Sequence, residues 1–179
     1  MKRLLSIMVG MGLLGAGGAL ANAPIQISLT PDIALHGETV PIRGLSLNIW
    51  GQNPQEGLAL GFVNGSTGSS AGISLALLLN YADSYTGLMM APVNYVSGDF
   101  LGWQGGTVNY TEGSMRGLQT GLVNYAGKLT GLQFGFLNYA ESAENGVQIG
   151  LVNIIPDNQW FTELPDALAP GMILVNWRF

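Results

Sequence analysis

Between Gly57 and Asn153 apolar residues alternate with small or polar ones at a period of two. In the clearest stretch Leu132, Phe134, Phe136 and Asn138 fall on one side, and Gly131, Gln133, Gly135, Leu137 and Tyr139 on the other. The split recurs for Val147, Ile149 and Leu151 against Gly146, Gln148 and Gly150, and for Leu58, Leu60 and Phe62 against Gly57, Ala59 and Gly61. A period of two rather than 3.6 predicts strands and no helix. Glycine weakens a strand, so paired glycines on one side predict that another backbone or a large side chain lies close.

The alternation is itself periodic. Asn64, Asn80, Asn94, Asn109, Asn124, Asn138 and Asn153 follow one another at spacings of 16, 14, 15, 15, 14 and 15. Gly57, Gly87, Gly102, Gly117, Gly131 and Gly146 each stand seven residues before one of them, Gln recurs at 104, 119, 133 and 148, and Tyr follows Asn at 81, 95, 110, 125 and 139. Gly72 lies eight before its Asn, which predicts one inserted residue, a bulge.

Ala82-Asp83-Ser84, Ser97-Gly98-Asp99, Glu112-Gly113-Ser114 and Ala126-Gly127-Lys128 have the composition of tight hairpin turns. With flanking strands at Ile25–Leu29, Ile42–Trp50 and Met172–Phe179, the expected fold is all-β, an antiparallel up-and-down β-barrel of about ten short strands. Ile155 to Pro170, with Pro156, Pro165 and Pro170, is the best candidate for a loop or lid. In a barrel Leu132, Phe134 and Phe136 face lipid and Gln133 faces a narrow interior. The alternative is a β-solenoid with 15-residue coils, Leu132, Phe134 and Phe136 stacked inward, an Asn ladder at a corner, and Gln and Tyr outside.

Composition narrows the destination. Of 179 residues 47% are hydrophobic and 9% charged, against about 25% charged in an ordinary soluble domain. The chain has no Cys, which excludes disulfides, zinc-cysteine sites, a cysteine nucleophile and a lipoprotein anchor. Lys2 and Arg3, the apolar run from Leu4 to Leu20 and Ala21-Asn22-Ala23 predict a signal peptide over residues 1–23, leaving 24–179 as a single all-β repeat domain with repeats over about 57–154. That domain holds four basic residues (Arg43, Arg116, Lys128 and Arg178) against eleven acidic ones, which argues against nucleic acid as a partner.

Candidate chemistry is sparse. His36 is the only imidazole, too isolated for a triad. Glu141, Glu144 and Asp157 are the carboxylates closest to a cation set, without the six to eight oxygens it needs. Asn64-Gly65-Ser66 and Asn109-Tyr110-Thr111 match a glycosylation sequon. The expectation is no catalytic residue, no cofactor and no metal ligand.

The copies G-L-Q-T-G-L-V-N (Gly117–Asn124) and G-V-Q-I-G-L-V-N (Gly146–Asn153), with R-G-L-S-L-N-I-W-G-Q-N before the first repeat, resemble a family of bacterial surface-repeat proteins without a characterised activity. The resemblance covers about Arg43 to Asn153, and Met89, Ala91 and Gly105 depart from it. It implies a surface or envelope location and transfers no site residue. The final M-I-L-V-N-W-R-F resembles the C-terminal strand of outer-membrane barrels. Together these imply a structural protein of the outer membrane or cell surface of a Gram-negative bacterium, with outer-membrane lipid and the barrel-insertion machinery as partners. The alternative is a secreted or periplasmic solenoid that serves as a binding module.

Overall fold

The computed structural model describes residues 22–179, so the expected signal peptide lies, but for its last two residues, outside the described part. The elements are β1 (Ala23–Thr30), β2 (Ile33–Ala34), β3 (Ile42–Asn53), β4 (Gln55–Met90), β5 (Val93–Val96), β6 (Phe100–Gly105), β7 (Val108–Ile154) and β8 (Gly171–Arg178), with no helix among the described residues. β4 and β7 run for 36 and 47 residues because the extended chain bends at corners without leaving strand geometry.

The pairing is parallel from β1 through β7, except for the two-residue β2, and each residue meets its own counterpart one repeat later: Asn80 with Asn94, Tyr81 with Tyr95, Gly87 with Gly102, Gln104 with Gln119. The fold is thus all-β, and it is a parallel β-solenoid of about seven turns. The antiparallel barrel is overturned. Its expected hairpin turns are corners that bond to the next coil: Gly98 N–H donates to the Asp83 carbonyl (2.7 Å) and Gly113 N–H to the Gly98 carbonyl (3.1 Å). Stacking like on like lets every polar side chain meet an identical neighbour, which an antiparallel meander of the same repeats cannot do at all positions.

The solenoid's faces are the reverse of those expected for it. Gln133 is fully buried, whereas Phe134 and Phe136 are 57% and 59% exposed, the orientation that the barrel had suggested. The coil interior is too narrow for large rings on that side: a Cβ on Gly135 would lie 2.4 Å from the Gly121 carbonyl oxygen. Glycine is also required at the bend that opens the coils from Gly44 to Gly131. Gly102 has φ +136°, and a Cβ there would stand 2.0 Å from the Gly87 oxygen. Apolar filling is confined to the opposite corner, where Tyr85, Phe100, Met115 and Leu129 stack against Val96, Ala126 and Ala140. The inserted residue after Gly72 is taken up at an outer corner, where Leu77 and Leu78 are both exposed.

Both ends are covered, as an open parallel stack would otherwise offer free strand edges. β2 pairs with β1 at the N-terminal end, and Leu35 N–H donates to the Ile27 carbonyl (2.9 Å). At the other end β8 lies antiparallel on the last coil. The irregular segment after Ile154 packs as part of this cap, with Ala167, Leu168 and Ala169 buried and Asn158 Nδ2 donating to the carbonyls of Ala169 (3.1 Å) and Trp177 (2.9 Å). The terminal strand that resembled a barrel strand is therefore a solenoid cap.

Candidate functional site

The interior is filled by rows of side-chain amides that bond to one another. Asn48 and the recurrent Asn residues from Asn64 to Asn138 each donate Nδ2 to the Oδ1 of the following member at 2.8–3.3 Å, an unbroken ladder along the axis that ends at Asn153. A second ladder runs the other way: Gln119, Gln133 and Gln148 each donate Nε2 to the preceding Gln Oε1 at 2.7–2.8 Å. Opposed donor directions let the two rows of amide dipoles offset each other. The spare amide hydrogens go to backbone carbonyls, such as Tyr125 and Tyr139 for the Gln row (3.1 and 3.2 Å). Such amides are structural and offer a ligand nothing.

Asn48 belongs to this ladder although no repeat signal marks it. In register it stands opposite Gly61, and Gly51 stands opposite Asn64, so Asn and Gly have exchanged places in this coil. The side chain reaches the same rung because Gly51 leaves the space that an Asn there would fill. Asn64 and Asn109, the sequon residues, are buried in the ladder and closed to a glycosyl group.

Outside, the sides of the solenoid differ. Tyr95, Tyr110, Tyr125 and Tyr139 stack along one side, with ring centroids 4.2–5.7 Å apart and planes within 18° of parallel. The Tyr95 hydroxyl donates to Glu112 (2.7 Å) and that of Tyr125 to Glu141, which holds both phenols above the ordinary tyrosine range. Charges gather at the corner beyond the Tyr row and just before the glycine bends. Arg43 pairs with Glu56 (2.9 Å), and Lys128 pairs with Glu144, whose carboxyl it lowers.

The adjoining side carries no charge in its rows. One row comprises Ile27, Leu47, Leu60, Leu75, Met90, Gly105, Thr120, Phe134, Ile149 and Val175, set by the pairing of consecutive coils. Flanking it run Leu58, Leu88, Trp103, Leu118 and Leu132 on one side, and Ile49, Phe62, Leu122, Phe136 and Leu151 on the other. With strands about 4.8 Å apart and a rise of about 3.3 Å per residue, the face measures roughly 45 Å by 15 Å. Over the first coils the rows part into an apolar groove of about 640 Å³ between Ile27, Leu47, Leu60 and Leu75 on one bank and Leu29, Ile49, Phe62 and Leu77 on the other. Over the later coils Phe134 and Phe136 stand up from it.

The residues weighed for chemistry do not converge. The His36 backbone exchanges hydrogen bonds with the Gln26 amide (2.8 and 2.9 Å). Glu141 is engaged by Tyr125, Glu144 by Lys128, and the Asp157 carbonyl accepts from Arg178 (3.2 Å). Among the described residues no three His, Asp or Glu side chains are placed to share a metal ion. The outward-facing row was legible as an alternation, but which medium it meets was not.

The fold and its outer surface define a parallel β-solenoid with an amide core and one uncharged apolar face. No protein-family model, curated protein or solved structure matches the chain.

Proposed function

We propose that this chain is an exported, non-catalytic interaction module at or outside the cell envelope, and that its apolar face is the contact surface. The observation that carries this reading is the face itself, which at roughly 700 Å² exceeds the few hundred Å² of contiguous apolar surface that a free soluble protein exposes. Solenoids present elongated surfaces of this kind to partners. The signal-peptide pattern of residues 1–23 and the resemblance to surface-repeat proteins support the location. A second reading, contact with outer-membrane lipid, is favoured by Trp103 and Trp177 on the face and the Tyr row beside it, since both residue types suit a bilayer boundary.

Expression of the whole chain in a Gram-negative host tests export. The mature protein is expected to begin at Pro24 and to be recovered from the periplasm, the medium, or an envelope fraction that urea strips, with gel mobility indifferent to boiling. Cytoplasmic retention with Met1 in place overturns it. The contact surface is tested with anilinonaphthalene sulfonate, which the mature protein should bind and a Phe134→Arg/Ile149→Arg variant should bind several-fold less. Absence of dye binding to a monomeric protein overturns the surface.

A further inference from the structure

Resting on that reading of the apolar face, we infer that its occupant is a second copy of this chain, packed face to face with its axis reversed. Area, charge and relief each point that way. A face of roughly 45 Å by 15 Å would bury about 1,400 Å² in a symmetric pair, within the range of specific interfaces. Although the chain is acidic overall, the rows of the face hold no carboxylate, and Asp83, Asp99, Glu112 and Glu141 sit at the corner beyond the Tyr row, so the rows of two faces can meet without bringing carboxylates together. An anionic lipid surface would want a basic rim. Here Arg43, Lys128 and Arg178 are each committed to an acidic partner, which leaves Arg116 as the single basic residue among those described without an ion pair, too little for a rim.

Relief fixes the orientation. The groove lies over the first coils, between Leu60 on one bank and Phe62 on the other, and the raised rings of Phe134 and Phe136 lie over later ones. Counting strands along the face from β1 to β8, Leu60 is on the third of ten and Phe134 on the third from the other end. A two-fold axis lying in the face along the strand direction, at its midpoint, preserves each row and exchanges the ends. It sets Phe134 of one copy over Leu60 of the other and Phe136 over Phe62, and the reverse, so each copy's pair of rings covers the two banks of its partner's groove. At the middle of the central row the same axis sets Met90 of one copy over Gly105 of the other, a long side chain against a position that has none. A pair with parallel axes would put groove on groove and ridge on ridge. Such reciprocal contact is the mark of an isologous interface.

The test is light scattering with size exclusion on the mature chain at concentrations up to about 100 μM. A dimer is expected, and Phe134→Glu and Leu60→Lys should each weaken it at least about 30-fold while Thr86→Arg, off the face, leaves it unchanged. Mixed together, the two weakened variants should dimerise, since the reversed arrangement joins position 134 of one to position 60 of the other. Should either variant fail to fold, Phe134→Cys and Leu60→Cys in an otherwise cysteine-free chain give the second measurement: mixed oxidation should yield the 60–134 product in preference to 134–134. A monomer throughout this range, a dimer indifferent to both substitutions, a mixture that stays apart, or dominant 134–134 cross-linking overturns the inference. So does a monomer that floats with neutral phosphatidylcholine vesicles, which identifies lipid as the occupant. A monomer that still binds the apolar dye overturns self-association and leaves the contact surface standing, whereas one that binds no dye overturns both.

Discussion

The coils from Ile42 to Met90 and those from Phe100 to Ile154 are built on the same glycine bend and the same Asn ladder, yet their interiors differ. In the later coils the inward position two after the bend is Gln104, Gln119, Gln133 and Gln148, and every bond between neighbouring Asn from Asn109 onward is 2.8 Å. In the earlier coils that position is Ser46, Ala59, Ser74 and Met89, and Asn64 splits its donors among Ser74, the Leu75 carbonyl and Asn80 at 3.0–3.3 Å. The Tyr stack belongs to the later coils as well, while Tyr81 turns instead to Trp50 and Gln52. One amide ladder with its glycine column is therefore enough to set the coil, and the second ladder adds regularity. The irregular half holds the groove and the regular half the ridge.

The largest break in this comparison should come from the shared ladder. Asn124→Leu removes a donor to Asn138 Oδ1 and to the Phe134 carbonyl and the acceptor of Asn109, and should cost about 4 kcal/mol in urea unfolding. Asn64→Leu should cost about half as much, because Ser74 still donates to Asn80 (2.8 Å). Equal losses would show that the two halves rely on the ladder alike.

Gly102→Ala should cost about 3 kcal/mol or more, combining a left-handed backbone with a collision on the Gly87 oxygen. Gly68→Ala, at φ +61° with open space around it, should cost about 1 kcal/mol. Thermal melts of the pair separate strain from crowding.

Two substitutions should stabilise by about 1 kcal/mol each. The Tyr85 hydroxyl is buried without a partner, and its burial pushes the phenol well above the usual range, so Tyr85→Phe removes an unmet group and keeps the stack on Phe100. Gln104 Nε2 is unpartnered where the Gln row ends against Met89, so Met89→Gln extends the second ladder into the earlier half. A destabilised Met89→Gln protein would show that the earlier coils cannot accept the later pattern.

The smallest effect concerns pH. Tyr81, Tyr85, Tyr95 and Tyr125 all hold their protons more tightly in the fold, through burial for the first two and bonds to Glu112 and Glu141 for the others. The unfolded chain releases those protons near pH 10. Stability should therefore be indifferent to these groups below about pH 10 and fall above it as the unfolded state ionises. Tyrosinate absorbance should rise together with the loss of circular dichroism, and ionisation well ahead of unfolding would contradict the bonds.

Legibility in the sequence varied with how far each signal depended on its neighbours. The Gly, Gln and Asn columns could be read directly, since each is a repeat of one residue type at one spacing. Asn48 could not, because it fills its rung from a different position and only the backbone register exposes the exchange with Gly51. The cap formed by Asn158 and Asn176 was equally hidden, as Asn158 bonds to the Trp177 carbonyl and Asn176 to that of Asn153, both distant in the chain.

By itself the sequence determined strands, a repeat of about fifteen residues, crowded glycine positions and an uncharged apolar row, all of them consequences of local geometry and composition. Only the tertiary structure decided whether the next strand runs parallel or antiparallel and which row lies inside. Alternation is the same in a hairpin and in a coil, so it cannot choose between them. The choice falls to the parallel coil because stacked identical amides satisfy one another along the axis, and to a polar interior because glycine backbones and amides fill a cross-section that leaves Phe134 and Phe136 no room.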